Sequence, residues 1–317
     1  MLLRLATAPT LRCRRSRGPL TKRELEILRT ALREHVNALT VDIGSRTPLN
    51  GNSLVRAANY IRSVFKEAGL SVREQDYTYC DQQVTNVLAT APTIAGASAY
   101  YLVGAHYDTV PGTPGADDNA SAVAVMLELA RRLRQEQLKV PVLFAAFTLE
   151  EPPAYLTGHQ GSRMFVHSCQ TSGDRVLGAI ILEMVGYTAP RQNYPYIARW
   201  PGYPAEGDFI GIIANWRSWH LGRAVLRGFR KNKDLPVESL FLPFNGRLLP
   251  ETRLSDHASF WDAGLPALMV TDTAFFRNPN YHLPADTIDT LDFTFMAELV
   301  KSLELALLEL PLALDSS

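Results

Sequence analysis

A chain of 317 residues, 46% of them apolar, can bury a full-sized core, and its length suits a single α/β domain. Its 32 lysines and arginines are matched by 32 aspartates and glutamates, so no global field draws it to nucleic acid or to an anionic membrane. The three cysteines, Cys13, Cys80 and Cys169, are too scattered for a disulfide scaffold or a thiolate metal site, which leaves histidine and carboxylates as donors for any metal.

The opening stretch, MLLRLATAPTLRCRRSRGPL, places its positive charge after a short apolar run, the reverse of a secretory signal, and residues 1–20 read as a disordered arm. No apolar run reaches the roughly 20 residues that cross a bilayer, so the chain reads as soluble and cytoplasmic, with residues 21–317 as one domain. Thr21 and Glu24 have capping-box spacing, and Leu25, Leu28, Leu32, Val36 and Leu39 follow at helical period. A second helix is predicted from Ser53 through Leu54, Ala57, Ala58, Ile61, Val64 and Phe65 to Gly69, a residue suited to a left-handed cap.

Strand-like runs follow at residues 70–79, 84–90, 100–105, 140–147, 177–182, 209–213 and 267–270, with helical stretches at 120–133, 216–229 and 293–310. Several runs are apolar on successive residues, as strands covered on both faces require. The alternation predicts an α/β fold, a three-layer α/β/α sandwich with a mixed, mostly parallel central sheet. Residues 189–207, rich in Pro, Tyr and Gly, read as a long surface loop.

Ligands of open α/β sheets bind beyond the carboxyl ends of the strands, and metal-binding residue types gather at such places here. The run Tyr100-Tyr101-Leu102-Val103-Gly104-Ala105 leads into His106 and Asp108, two positions apart and therefore on one side of an extended chain. Asp108 can then orient the His106 imidazole. Gly115-Ala116-Asp117-Asp118-Asn119 precedes a helix, where one aspartate reads as an N-cap but two do not. The run 142–149 enters Glu150-Glu151, a pair that would repel at a buried strand end unless cations or solvent screened it. The strand over 177–182 ends in Glu183, and the loop Asn280-Tyr281-His282-Leu283-Pro284-Ala285-Asp286 supplies a second imidazole. Each feature alone has an ordinary explanation as a strand-end, cap or loop residue. Together they offer two imidazoles and three or four carboxylates, donors that zinc accepts, and a two-metal site needs a bridging group between ions roughly 3.5–4 Å apart.

In order, GAHYDTV, GADDNAS, the Glu150-Glu151 pair, LEMVGY, SDHASFWDAGLPAL and NYHLPADT resemble the dinuclear zinc aminopeptidase family, which also includes glutamate carboxypeptidase II and glutaminyl cyclase. The resemblance runs from about Asn50 to the C-terminal helix. It implies the zinc exopeptidase fold, two Zn2+ per chain and a peptide substrate with a free N-terminus. Asp118 would bridge the ions, with His106 and Glu183 on one and Glu151 and His282 on the other. Glu150 would be the general base, taking a proton from a zinc-bridging water and passing it to the leaving amine. Tyr281 matches a tyrosine that donates to the oxyanion in some relatives, Asp108 would support His106, and the Asp118-Asn119 peptide would be cis. The resemblance also admits a glutaminyl cyclase-type acyltransferase with one zinc, a carboxypeptidase acting on acidic C-termini, and a non-catalytic receptor on the same fold.

Some features depart from the family pattern. Glu183 stands where many members have aspartate, and the segment 152–162 is longer than the usual connection. His159 within it reads as a surface residue. Asp256 reads as the cap of the helix through Phe260 and Trp261, and neither it nor His257 joins the metal set.

Overall fold

The computed structural model describes residues 18–91, 96–134, 138, 140–195 and 202–311, so the expected arm over residues 1–20 lies almost wholly outside the described residues. The capping box is formed at α1 (Lys22–Asn37): the Glu24 N–H donates to the Thr21 hydroxyl at 3.2 Å, and the Thr21 N–H donates to the Glu24 carboxylate at 2.9 Å. One face of α1 buries Leu28, Leu32 and Val36. In α2 (Ser53–Glu67) the apolar stripe from Leu54 to Phe65 is buried, and Gly69 closes the helix at φ 76° as Leu70 N–H donates back to the Phe65 carbonyl at 3.0 Å.

One mixed sheet contains β1 (Ser71–Tyr79), β2 (Gln82–Thr90), β3 (Ala99–His106), β4 (Val142–Phe147), β5 (Arg175–Glu183), β6 (Ile210–Asn215), β7 (Val237–Leu242) and β8 (Ala267–Thr271), in the order β1-β2-β4-β3-β5-β8-β6-β7. The centre, β4-β3-β5-β8, is parallel, and so is β6-β7, while β1-β2, β2-β4 and β8-β6 are antiparallel. The centre is parallel because each of its strands is apolar on both faces and needs a layer of helices on each. On one side Val103, Phe144, Ile180 and Val270 pack with α1, α2, α3 (Ala122–Leu133), α5 (Trp219–Phe229) and α7 (Phe293–Glu309). On the other, Leu102, Leu143, Phe147 and Ile181 meet Phe165 of α4 (Gly161–Ser172) and Phe260 and Trp261 of α6 (His257–Asp262).

Two elements are missing from the sequence reading. Strand β7 is only partly buried along its length and carries Glu238 and Ser239 among its apolar residues, so its pattern is weak. Helix α4, GSRMFVHSCQTS, is rich in residues that hydrogen-bond locally and only moderately amphipathic. Of the expected loop over 189–207, the ends are tied by paired hydrogen bonds between Ala189 and Gly207 at 2.8 and 2.9 Å, and residues 196–201 lie outside the described residues. Among the described residues no helix is long and apolar enough to cross a membrane.

The parallel centre sets the position of the site. His106 is the last residue of β3 and Glu183 the last of β5, Glu150 and Glu151 follow just beyond β4, and the loop that leaves β8 reaches His282. Parallel strands end on the same edge of the sheet, so these residues meet there.

Candidate metal centre and active site

His106 is buried, with its two ring nitrogens facing different partners. Nδ1 lies 3.2 Å from the Asp108 carbonyl and 3.5 Å from Asp108 Oδ1. Nε2 points into the site, 3.4 Å from Glu183 Oε2, 3.5 Å from Asp118 Oδ1 and 3.9 Å from Glu150 Oε2. On the far side of Asp118, His282 Nε2 lies 3.2 Å from Asp118 Oδ2 and 3.3 Å from Glu151 Oε2. Asp118 therefore stands between two imidazole–carboxylate pairs, one oxygen towards each.

His106 Nε2 is within hydrogen-bond reach of Glu183 Oε1 at 3.5 Å, whereas the contacts of His282 are not ordinary hydrogen bonds. His282 Nε2 and Glu151 Oε1 are buried and have no hydrogen-bond partner among the described residues, although carboxylates surround the first. Two donors on one tetrahedral zinc, with bonds of about 2.0–2.1 Å, stand roughly 3.3–3.4 Å apart. The four contacts joining each imidazole to its carboxylates, at 3.2, 3.3, 3.4 and 3.5 Å, cluster at that edge length. Donor atoms of His106, Asp118 and Glu151 also lie within 4.8 Å of one another. The mixed nitrogen and oxygen donors fit zinc chemically as well.

The surrounding hydrogen bonds hold each side chain. Asp108 accepts the Glu150 N–H on one oxygen at 3.1 Å and the Glu151 N–H on the other at 3.0 Å, so it fixes the glutamate turn as well as facing His106. Asp286, which sequence reasoning left without a role, does the same for the aspartate loop by accepting the Asp117 and Asp118 N–H groups at 2.9 and 3.1 Å. Ser255 donates to Glu183 Oε2 at 2.6 Å. Behind the site, buried Arg46 donates to the carbonyls of Tyr107, Pro114 and Gly115, which ties the His106 and Asp118 loops together. Ser255 lies in the SDHASFWDAGLPAL segment and Asp286 in NYHLPADT, but only the folded chain reveals that one reaches the Glu183 carboxylate and the other the backbone of the aspartate loop.

Two expectations of capping are corrected. Neither Asp117 nor Asp118 caps α3, whose N-cap is Ser121. Asp117 instead accepts from Gly186 N–H at 2.9 Å and Asn278 Nδ2 at 2.7 Å, because the chain folds two further loops onto it. Asp256 occupies the N-cap position of α6 without a side-chain cap and accepts from Gln160 Nε2 at 3.1 Å. His257 is buried edge-on to Trp261 and bonds the Thr252 carbonyl, away from the metal set, and His159 is exposed as expected.

The Asp118-Asn119 peptide is cis. Leu149 and Met184, beside Glu150 and Glu183, have φ of 59° and 44°, a left-handed conformation that non-glycine residues hold only when their surroundings impose it. Tyr281 stacks on His282 at 3.7 Å, and its hydroxyl makes no hydrogen bond among the described residues.

The electrostatics follow from this crowding. Burial, then repulsion from Glu183 and Glu151, raises the Glu150 carboxyl well above the carboxylate range, with His106 opposing. Burial likewise raises Glu183, and takes Glu151 to about 8 with help from Asp118. Burial disfavours the charged form of both imidazoles, but the neighbouring carboxylates outweigh it, lifting His106 well above its usual value and His282 to about 10. Positive charge brought beside such a cluster would favour its ionised form. Beside it opens a cavity of about 110 Å³ whose lining includes Glu183 and Tyr281.

Comparison with known proteins agrees with this architecture. The uncharacterized protein YfbL of Escherichia coli strain K12 is 38% identical over 280 residues, 85% of this chain and 84% of that protein. Further curated relatives are longer, and the chain spans between 36% and 64% of their length. The solved structure of BSAP, a zinc aminopeptidase from Bacillus subtilis, matches with a TM-score of 0.69 at 15% identity, over 88% of this chain and 94% of that one. Glutaminyl cyclase from Bacteroides thetaiotaomicron matches at 0.65 and 17%, over 89% and 98%, so the same fold carries both names. The model of the family described as Peptidase family M28 matches residues 86–304, a span that holds every residue of the candidate centre, and the chain belongs to that family.

Proposed function

We propose that the protein is a zinc-dependent aminopeptidase that hydrolyses the N-terminal peptide bond of its substrate. The observation that carries the reading is Asp118, whose two oxygens face His106 at 3.5 Å and His282 at 3.2 Å, with a glutamate beside each imidazole. His106, Glu183 and Asp118 would hold one zinc, and His282, Glu151 and Asp118 the other. When bound, the two cations polarise the scissile carbonyl and lower the pKa of water.

The chain's own residues do the rest. Glu150 projects into the same space without joining a ligand edge, 3.9 Å from His106 Nε2, as a general base requires. Its carboxylate takes the proton of the attacking water and returns it to the leaving amine. Asp108, bonded to the N–H groups of Glu150 and Glu151, keeps base and ligand in register. Tyr281, protonated because burial raises its phenol, presents a free hydroxyl to the oxyanion. The names of relatives such as "Aminopeptidase YwaD" from Bacillus subtilis, 29% identical over 197 residues, support an aminopeptidase over the cyclase alternative.

The test is metal content together with turnover of aminoacyl-arylamides. Two zinc ions per chain, hydrolysis abolished by chelator and no cleavage of N-acetylated substrates are expected. A stoichiometry near one, with cyclisation of N-terminal glutaminyl peptides, would replace this reading by the cyclase.

A further inference from the structure

The cavity beside the centre carries two carboxylates, Glu238 and Glu251, that the hydrolytic reading does not use. Its walls are largely apolar and aromatic, including Phe209, Phe275, Phe276 and Tyr203. Among the described residues that line it are three carboxylates, Glu183, Glu238 and Glu251, and no lysine, arginine or histidine. Glu251 is exposed at the rim. The Glu238 side chain is half-buried in the wall, its carboxylate makes no hydrogen bond or ion pair to another described residue, and Arg230 acts on it only at longer range.

The sheet register fixes where Glu238 stands. Glu183 on β5 pairs with Thr271 on β8, Thr271 pairs with Gly211 on β6, and Gly211 pairs with Glu238 on β7. All four belong to one cross-strand row, so their Cβ directions share a face of the sheet. Three strand spacings of about 4.8 Å put Glu238 roughly 14 Å along the sheet from Glu183, a span for a long side chain rather than a short one. Between them, Gly211 leaves the floor open: a Cβ there would meet nothing closer than the Thr271 carbonyl at 3.5 Å, so the fold tolerates a side chain that the cavity would have to accommodate.

We infer that Glu238 is a specificity-determining residue and that the cavity receives the first side chain of a peptide beginning with lysine or arginine. This rests on the aminopeptidase reading and adds the substrate class to it. The aliphatic stem of such a side chain lies along the apolar walls while its cationic head meets Glu238, as long basic side chains do at apolar surfaces that end in an acid. Arg277 lies behind the lining, over Phe209 at 4.6 Å and bonded to Gln192 at 2.8 Å, so an acidic first residue in the cavity itself would still meet the like charges of Glu238 and Glu251.

The experiment measures kcat/KM of the full, zinc-loaded chain on lysyl, arginyl, norleucyl, alanyl and glutamyl arylamides, norleucine matching the lysine stem without its charge. In the wild type, lysyl and arginyl substrates should exceed norleucyl by about tenfold or more, the scale of a discriminating polar contact in a partly desolvated site. E238Q should lower the lysyl-to-norleucyl ratio by about tenfold, E238K should favour glutamyl over lysyl, and G211V should lower lysyl and norleucyl turnover relative to alanyl. A wild type that prefers norleucine, or a ratio unmoved by E238Q, overturns the specificity and leaves the peptidase standing. A zinc-loaded chain that hydrolyses none of the five removes both.

Discussion

Beneath the sheet, where α3 packs on α1 and α7, buried carboxylates meet cations from the same chain. Glu128 accepts from Arg131 Nε at 2.9 and 3.0 Å and faces His35, and Glu304 accepts from Arg132 at 2.7 and 3.1 Å with Lys301 nearby. At the carboxyl ends of the central strands, Asp118, Glu150, Glu151 and Glu183 are also buried but face two imidazoles and each other. Arg46, close behind them, directs its donors to backbone carbonyls. The first region balances its charge internally, while the second carries an excess of negative charge that an external cation would balance. The buried carboxylates of the two regions thus differ in what faces them, basic side chains in the first and mainly one another in the second.

The largest expected effect breaks the second region at its base. Glu150→Gln keeps the shape and all the proposed ligands, so turnover should fall by about 10³-fold, within the usual 10²–10⁴ range for a general base, while zinc content measured by atomic emission stays unchanged. Loss of zinc along with turnover would make Glu150 a ligand instead.

The comparison itself predicts opposite responses to the same chemical change. Glu304→Gln strands Arg132 in the interior and should cost about 3–5 kcal/mol of stability in urea unfolding. Glu151→Gln, measured on chelator-treated protein, removes one of several mutually repelling carboxylates and should cost nothing. Equal losses in the two variants would erase the distinction.

A third case sharpens it. His257 is a buried imidazole with no carboxylate in contact, and burial pushes it down to about 4. The unfolded chain then binds the proton first, so stability is present above the ordinary imidazole pKa near 6.5 and is lost as pH falls towards 4, by on the order of 3 kcal/mol at 1.36 kcal/mol per unit. Unfolding midpoints between pH 7 and 4 should show this slope in the wild type and a flatter one in His257→Phe. The smallest effect lies outside both regions: Thr21→Ala removes the capping box of α1 and should cost about 1 kcal/mol with turnover unchanged.

Much of the scaffold was legible in the sequence because its signals are local. The Thr21–Glu24 box, the stripe of α2 and the doubly apolar strands depend on periods and spacings within one segment. Strand β7 and helix α4 escaped because their burial comes from neighbours rather than from their own pattern. The candidate donors were legible as residue types at strand ends, since a parallel sheet gathers those ends on one edge.

The tertiary structure decided what distance along the chain conceals. That Asp117 binds Asn278 and Gly186 instead of capping its helix, that Asp286 holds the Asp118 loop from 168 residues away, and that Glu238 shares a row with Glu183 all depend on strand order and loop packing. Sequence periodicity shows which face of an element is buried, but which remote groups share that burial is settled only when the layers close on one another.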